Sequence, residues 1–161
     1  MIRGISFKLP SLSYHNTFRI KILYHILKCI DIEKYNWYAI DSQSDVWEYK
    51  YNTYMSDLFF KKDYYNGEFF LNQINLEYFV VFLKLQAYHK HDELKEIDSY
   101  DDFLKSDCQI LLFIWDCYFV DIYLKDEAIA KAFYENALAN GYTEVEYITD
   151  ENDERTGFKN L

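Results

Sequence analysis

A chain of 161 residues, half of them hydrophobic, can bury a core without a metal or a disulfide framework. One proline and four glycines exclude a linker or a disordered polymer, and a net charge of −10 disfavours direct contact with nucleic acid, whose phosphates repel it. Three cysteines at no metal spacing predict thiols in a reducing compartment, and the sequence asks for no cofactor. The opening MIRGISFKLP has no apolar h-region, and no apolar run is long enough to span a bilayer. Together these readings predict a cytoplasmic protein with no membrane partner.

In chain order, Arg3 to Leu9 alternates, with Ile5, Phe7 and Leu9 on one side, and predicts a strand that Pro10 ends. Ser13 or Asn16 caps a helix reaching about Cys29, because Phe18, Ile22, Ile26 and Cys29 or Ile30 recur at helical spacing and Leu23 and Leu27 widen the stripe. His25 beside that stripe reads as a core-edge histidine, since no second ligand stands at helical spacing. Tyr35–Ile40 and Asp45–Tyr51 predict two strands of a hairpin turning at Asp41-Ser42-Gln43-Ser44, with Trp37 and Trp47 paired across it. Between residues 52 and 75 the pattern is poor: an apolar turn at Met55–Phe60, a turn at Asn66-Gly67 and a short helix at Glu68–Ile74.

Tyr78–Tyr88 predicts a strand with Phe79, Val81, Leu83 and Leu85 on one face, followed by a polar loop from His89 to Glu93. Ser99 caps a short helix over Tyr100–Lys105, with Asp101 and Asp102 at its positive end. Gln109 to Trp115 is almost uninterrupted apolar sequence and predicts a strand buried on both faces. In the next segment Val120, Ile122 and Leu124 alternate with Asp121, Tyr123 and Lys125, a half-buried strand. Asp116-Cys117-Tyr118 is too short for a crossover, so these two strands pair antiparallel and centre the sheet. Asp126 caps the clearest helix, whose stripe is Ala130, Phe133, Tyr134 and Ala137 and whose stop is Gly141. Tyr142–Thr149 predicts a last strand, and the polar tail 150–161 is expected to fray. The sum is one α+β domain over residues 1–161, a largely antiparallel sheet with two main helices packed on it.

The run from Tyr100 to Phe158 and the opening RGISFKLP resemble an uncharacterised Gram-positive bacterial family, domain of unknown function 2691. The likeness covers both ends, and residues 41–75 do not match. It implies a stand-alone bacterial cytoplasmic protein of the kind that prophages and mobile elements carry, and it assigns no catalytic residue.

His89-x-His91 on an extended strand would set two imidazoles on one face, and Asp92 or Glu93 could complete a zinc or manganese site. An exposed polar loop is the stronger reading, because no further His or Cys follows at metal spacing. Cys108 and Cys117 flank the buried strand, too far apart along an extended chain for a disulfide, and no base adjoins either as nucleophilic catalysis requires. Asp92 to Asp107 carries seven acids and two lysines, and a second row comprises Glu144, Glu146, Asp150, Glu151, Asp153 and Glu154. Such runs are most often solvated faces, next a surface for a basic partner, and last a hydrolase site. No phosphate-binding glycine loop, G-x-S-x-G or CxxC is present. The leading expectation is therefore a non-catalytic interaction module whose row Glu144–Glu154 meets a basic protein surface, in its sharpest form an inhibitor that mimics DNA. The alternative is a small-molecule or nucleotide binder, or a small enzyme, with a pocket between sheet and helices lined by Tyr, Trp37 and Trp47.

Overall fold

A computed structural model describes residues 1–10, 21–39, 44–155 and 157–158. The N-terminal alternation becomes strand β1 (Ile2–Lys8), with Ile5, Phe7 and the following Leu9 buried. The next apolar stripe forms helix α1 (Ile22–Leu27), which buries Ile22, Leu23, Ile26 and Leu27. The expected caps Ser13 and Asn16, and Phe18, lie outside the described residues. A 3-10 turn at Ile32–Lys34 leads into β2 (Tyr35–Ala39), β3 (Asp45–Lys50), β4 (Thr53–Leu58) and the two-residue β5 (Tyr64–Tyr65). Then come α2 (Gly67–Ile74), β6 (Tyr78–His89), α3 (Tyr100–Lys105), β7 (Cys108–Trp115), β8 (Phe119–Leu124), α4 (Glu127–Ala139) and β9 (Thr143–Thr149). One antiparallel sheet runs β4-β3-β6-β7-β8-β1-β9, with β2 paired along the edge of β6 and β5 paired to β2. The protein is α+β, and β7 and β8 form its central hairpin, antiparallel as expected, with Leu112 opposite Ile122.

The hairpin expected between β2 and β3 does not form. Strand β6 has 12 residues and so extends about 40 Å, long enough to carry two partners end to end on one edge. β3 pairs with Tyr78–Phe82 and β2 with Leu85–His89. Trp37 is fully buried and stacks on Phe70 at 4.6 Å, donating its indole N–H to the Ile32 carbonyl at 2.9 Å. Trp47 instead packs near Phe79, with ring centroids 6.2 Å apart. The turn residues 41–43 lie outside the described residues. Where an apolar turn was expected at Met55–Phe60, β4 pairs with β3 through a tight turn at Tyr51-Asn52, both in the left-handed region.

The face assignment along β6 also changes. Val80 pairs with Val46 and Phe82 with Asp45, so Val81 is an extra residue in the ladder. A bulge reverses the alternation. Tyr78 and Val80, rather than Phe79 and Val81, therefore join Leu83, Leu85 and Ala87 in the main core.

That core fills the first face of the sheet, where Ile5, Phe7, Leu85, Ile110, Leu112, Val120 and Ile122 pack beneath α1, α2 and α4. The Asp126 carboxylate caps α4 by accepting from the Ala128 N–H at 2.9 Å, and Gly141 ends the helix at φ 78°. Phe133 is buried as expected, 1% exposed. Its helix rests mainly on β1 and β9, however, and meets the hairpin chiefly at β8. The reason is topological: β1 sits between β8 and β9, pairing with both, so β8, α4 and β9 form a split β-α-β unit. Strand β1 passes so close to β8 at Gly4 that a Cβ there would collide with the Ile122 carbonyl.

The second face holds a smaller core of Tyr88, Ile97, Phe103, Cys108, Leu111, Phe113, Tyr123, Ile148 and Phe158. Helix α3, capped by Ser99 as predicted, covers part of it, and irregular chain covers the rest. The tail expected to fray leaves residues 150–152 and 154 exposed but is anchored at its described end. Phe158 is 1% exposed, and its N–H donates to the Asp98 carbonyl at 3.0 Å. Among the described residues, no helix is long and apolar enough to cross a membrane.

Candidate functional site

An open cleft of about 880 Å³ lies on the second face, away from α1, α2 and α4. Strand register builds its floor. Asp121 on β8 and Glu146 on β9 stand directly opposite Ser6 on the intervening β1, and Phe113 on β7 stands opposite Asp121. Directly opposed residues of antiparallel strands share a face. The neighbouring row is Trp115, Phe119 and Lys8. Trp115 and Phe119 stack at 5.3 Å with 18° between their planes, and the Lys8 ammonium lies 5.3 Å from the Phe119 ring. A bulge in β9 places Glu144 in the left-handed region (φ 52°), where it pairs with Lys8.

The C-terminal segment forms the opposite wall with Asn152, Asp153, Glu154, Arg155 and Gly157. Its course is fixed by a side-chain clamp in which Asn152 accepts from the Thr149 N–H at 2.7 Å and donates to the Tyr147 carbonyl at 2.9 Å. Arg3 reaches across to Asp150 at 2.9 Å and Asp153 at 3.1 Å, and the Tyr123 hydroxyl donates to Asp153 at 3.0 Å. Arg155 donates to Asp121 at 2.9 Å, with both side chains 15% exposed. Burial pushes the Asp121 carboxyl above its ordinary range, outweighing the Arg155 hydrogen bond that draws it down. By contrast, the hydrogen bond from Arg3 draws the exposed Asp150 carboxyl down.

The six acids singled out from sequence divide into two sets. Glu144, Asp150 and Asp153 are tied to Lys8 and Arg3. Glu146, Glu151 and Glu154 are exposed, and no described cation pairs with them; Glu146 and Glu154 line the cleft. The two histidines part company at the end of β6. His89 stacks on Tyr35 at 5.5 Å, while His91 adopts φ 76° in the turn beyond. Among the described residues, no group of three His, Cys, Asp or Glu is placed to hold a metal ion. Neither Trp37 nor Trp47 lines the cleft; its indole is Trp115. Ser6, Lys8, Trp115, Asp121 and Arg155 were not singled out from sequence. The alternation that turned Asp121 away from Val120 and Ile122 was the one available signal.

A family model, Protein of unknown function (DUF2691), matches residues 2–159. The chain belongs to that family. The chain is also similar to the uncharacterised protein YncE of Bacillus subtilis (strain 168), 32% identical over 157 residues, which covers 97% of each chain. No solved structure matches. The family is thus a Gram-positive bacterial one of unknown function, and both its ends, which build the cleft through β1 and the C-terminal wall, fall inside the matched span.

Proposed function

We propose that the protein is a non-catalytic interaction module that receives the cationic side chains of a basic protein partner in this cleft. The observation that carries the reading is the pairing of exposed carboxylates, Glu146 and Glu154, with the stacked Trp115 and Phe119 in one concave surface. Carboxylates and aromatic faces both attract ammonium and guanidinium groups. A net charge of −10 steers basic partners toward it. The ion pairs at Glu144, Asp150 and Asp153 interrupt the acidic row, which favours recognition of single cationic groups over imitation of a phosphate backbone. The unbridged Cys29 and Cys108 support a reducing, cytoplasmic setting.

Calorimetric titration at low salt with a peptide rich in arginine and lysine tests this. Saturable binding that weakens with salt and falls several-fold in Glu146→Gln/Glu154→Gln is expected, since exposed pairs contribute ~0.2–1 kcal/mol each. A flat titration overturns the reading. The cleft volume also fits a small ligand with a flat ring laid along Trp115 and Phe119. A thermal-shift screen of nucleotides and metabolites separates that second reading, because only bound ligand raises the melting temperature.

A further inference from the structure

We propose that Phe113, Trp115 and Asp121 form a guanidinium site which the chain's own Arg155 fills, and that a partner's arginine binds by displacing it. The inference rests on the basic-partner reading and adds the group recognised and the internal competitor that regulates the site.

Three surfaces converge on the Arg155 guanidinium. Asp121 accepts from Nη2 at 2.9 Å, and the guanidinium carbon lies 4.6 Å from the centre of Phe113 and 4.7 Å from that of Trp115. Both distances are inside the range of cation–π attraction, and a planar fork satisfies a carboxylate and ring faces together. The site is thus already shaped to a guanidinium.

The resident group fits it incompletely. Arg155 Nε is buried and meets no acceptor among the described residues, so one of its donors is left unsatisfied there. The Asp121 carboxyl is pushed up by burial despite its cationic partner, the mark of an ion pair whose attraction does not offset desolvation. An incoming arginine that satisfies its own Nε elsewhere does not carry the first of these costs.

Release of Arg155 requires no unfolding. The chain is anchored before it by Asp153, held by Arg3 and Tyr123, and after it by Phe158, whose ring lies 5.2 Å from Phe113 and 4.8 Å from Tyr123. The side chain can swing while the backbone stays in place.

The test is calorimetric titration of a capped arginine-rich peptide and its lysine counterpart into the full chain. If Arg155 occupies the site nine-tenths of the time, its removal raises apparent affinity roughly tenfold, because affinity scales with the competent fraction. Arg155→Ala should show that gain for the arginine peptide, with less for the lysine peptide, and Asp121→Asn in the same background should abolish it. Arg155→Gln keeps a donor for Asp121 without the charge over the rings, and it decides the matter if the alanine variant does not fold. An unchanged or lower affinity in these variants, or a gain that survives Asp121→Asn, overturns the internal-competitor proposal. If the wild type still binds and Glu146→Gln/Glu154→Gln still weakens it, the basic-partner reading stands alone. If neither the wild type nor any variant binds, both fall.

Discussion

The two faces of the sheet are closed in different ways. On the first face three helices satisfy their own backbones, so their contribution to the core can be almost purely apolar: Ile22, Leu23, Ala130, Phe133 and Ala137 join the aliphatic strand residues there, and Phe70 stacks on Trp37. On the second face much of the covering chain is irregular and has no ladder to occupy its carbonyls. Buried polar side chains of β6 do that work: Lys84 Nζ donates to the Ile97 carbonyl, and the Tyr88 hydroxyl donates to the Lys95 carbonyl at 2.8 Å. Helical cover leaves a sheet face inert, whereas loop cover imports charge, and the cleft lies on the loop-covered face.

The contrast breaks first at Phe133. Phe133→Ala should cost ~3–5 kcal/mol, a large share of a typical stability of ~5–15 kcal/mol. Urea melts with an unchanged slope check this. A loss as mild as that of a surface change would mean the first face is not closed by α4.

On the second face, Lys84→Met should change stability at neutral pH by only about 1 kcal/mol in either direction, because the lost hydrogen bond and the relieved ammonium burial oppose each other. The informative quantity is the pH dependence. Burial holds the Lys84 pKa below its ordinary 10.5. Between that lowered value and about 10.5, the folded chain binds fewer protons at this site than the unfolded chain. Lys84 therefore adds a rise in stability with pH across the window, and Lys84→Met should lose that rise when compared with wild type by urea melts at several alkaline pH values. Parallel curves for the two proteins would show that the second face does not bury a charge. The smallest effect belongs to Lys131→Ala on the exposed side of α4, within ~0.5 kcal/mol in the same melts.

Much of the first face was legible in sequence because local period and face agree there. The run 109–115, the alternation 119–124 and the stripe Ala130, Phe133, Ala137 each contain their own answer. Trp37 and Trp47 misled because nothing local in either strand reveals that both lie along one long edge of β6. Val81 misled because a single inserted residue exchanges the faces of everything after it. The cleft was illegible for a further reason: Ser6, Trp115, Asp121 and Glu146 share no period and are brought together by register, and Arg155 joins them through its ion pair with Asp121. The acidic row was visible, but its division by Lys8 and Arg3, both on the first strand, was not. The tail read as polar because Phe158, its buried apolar anchor among the described residues, stands outside any repeating pattern.

The placement of β1 between β8 and β9 has a consequence for how the chain is made. Arg3 and its ion-pair partner Asp150 are 147 positions apart. Strand β1 thus leaves the ribosome long before both of its neighbours, and closing so long a loop must precede any reward from pairing. Until β8 and β9 exist, β1 carries two open edges and the apolar Ile5 and Phe7, the combination that invites pairing with another chain. Its flanking Arg3 and Lys8 keep the waiting strand charged, and the same two side chains then find Asp150, Asp153 and Glu144 when the final strand arrives.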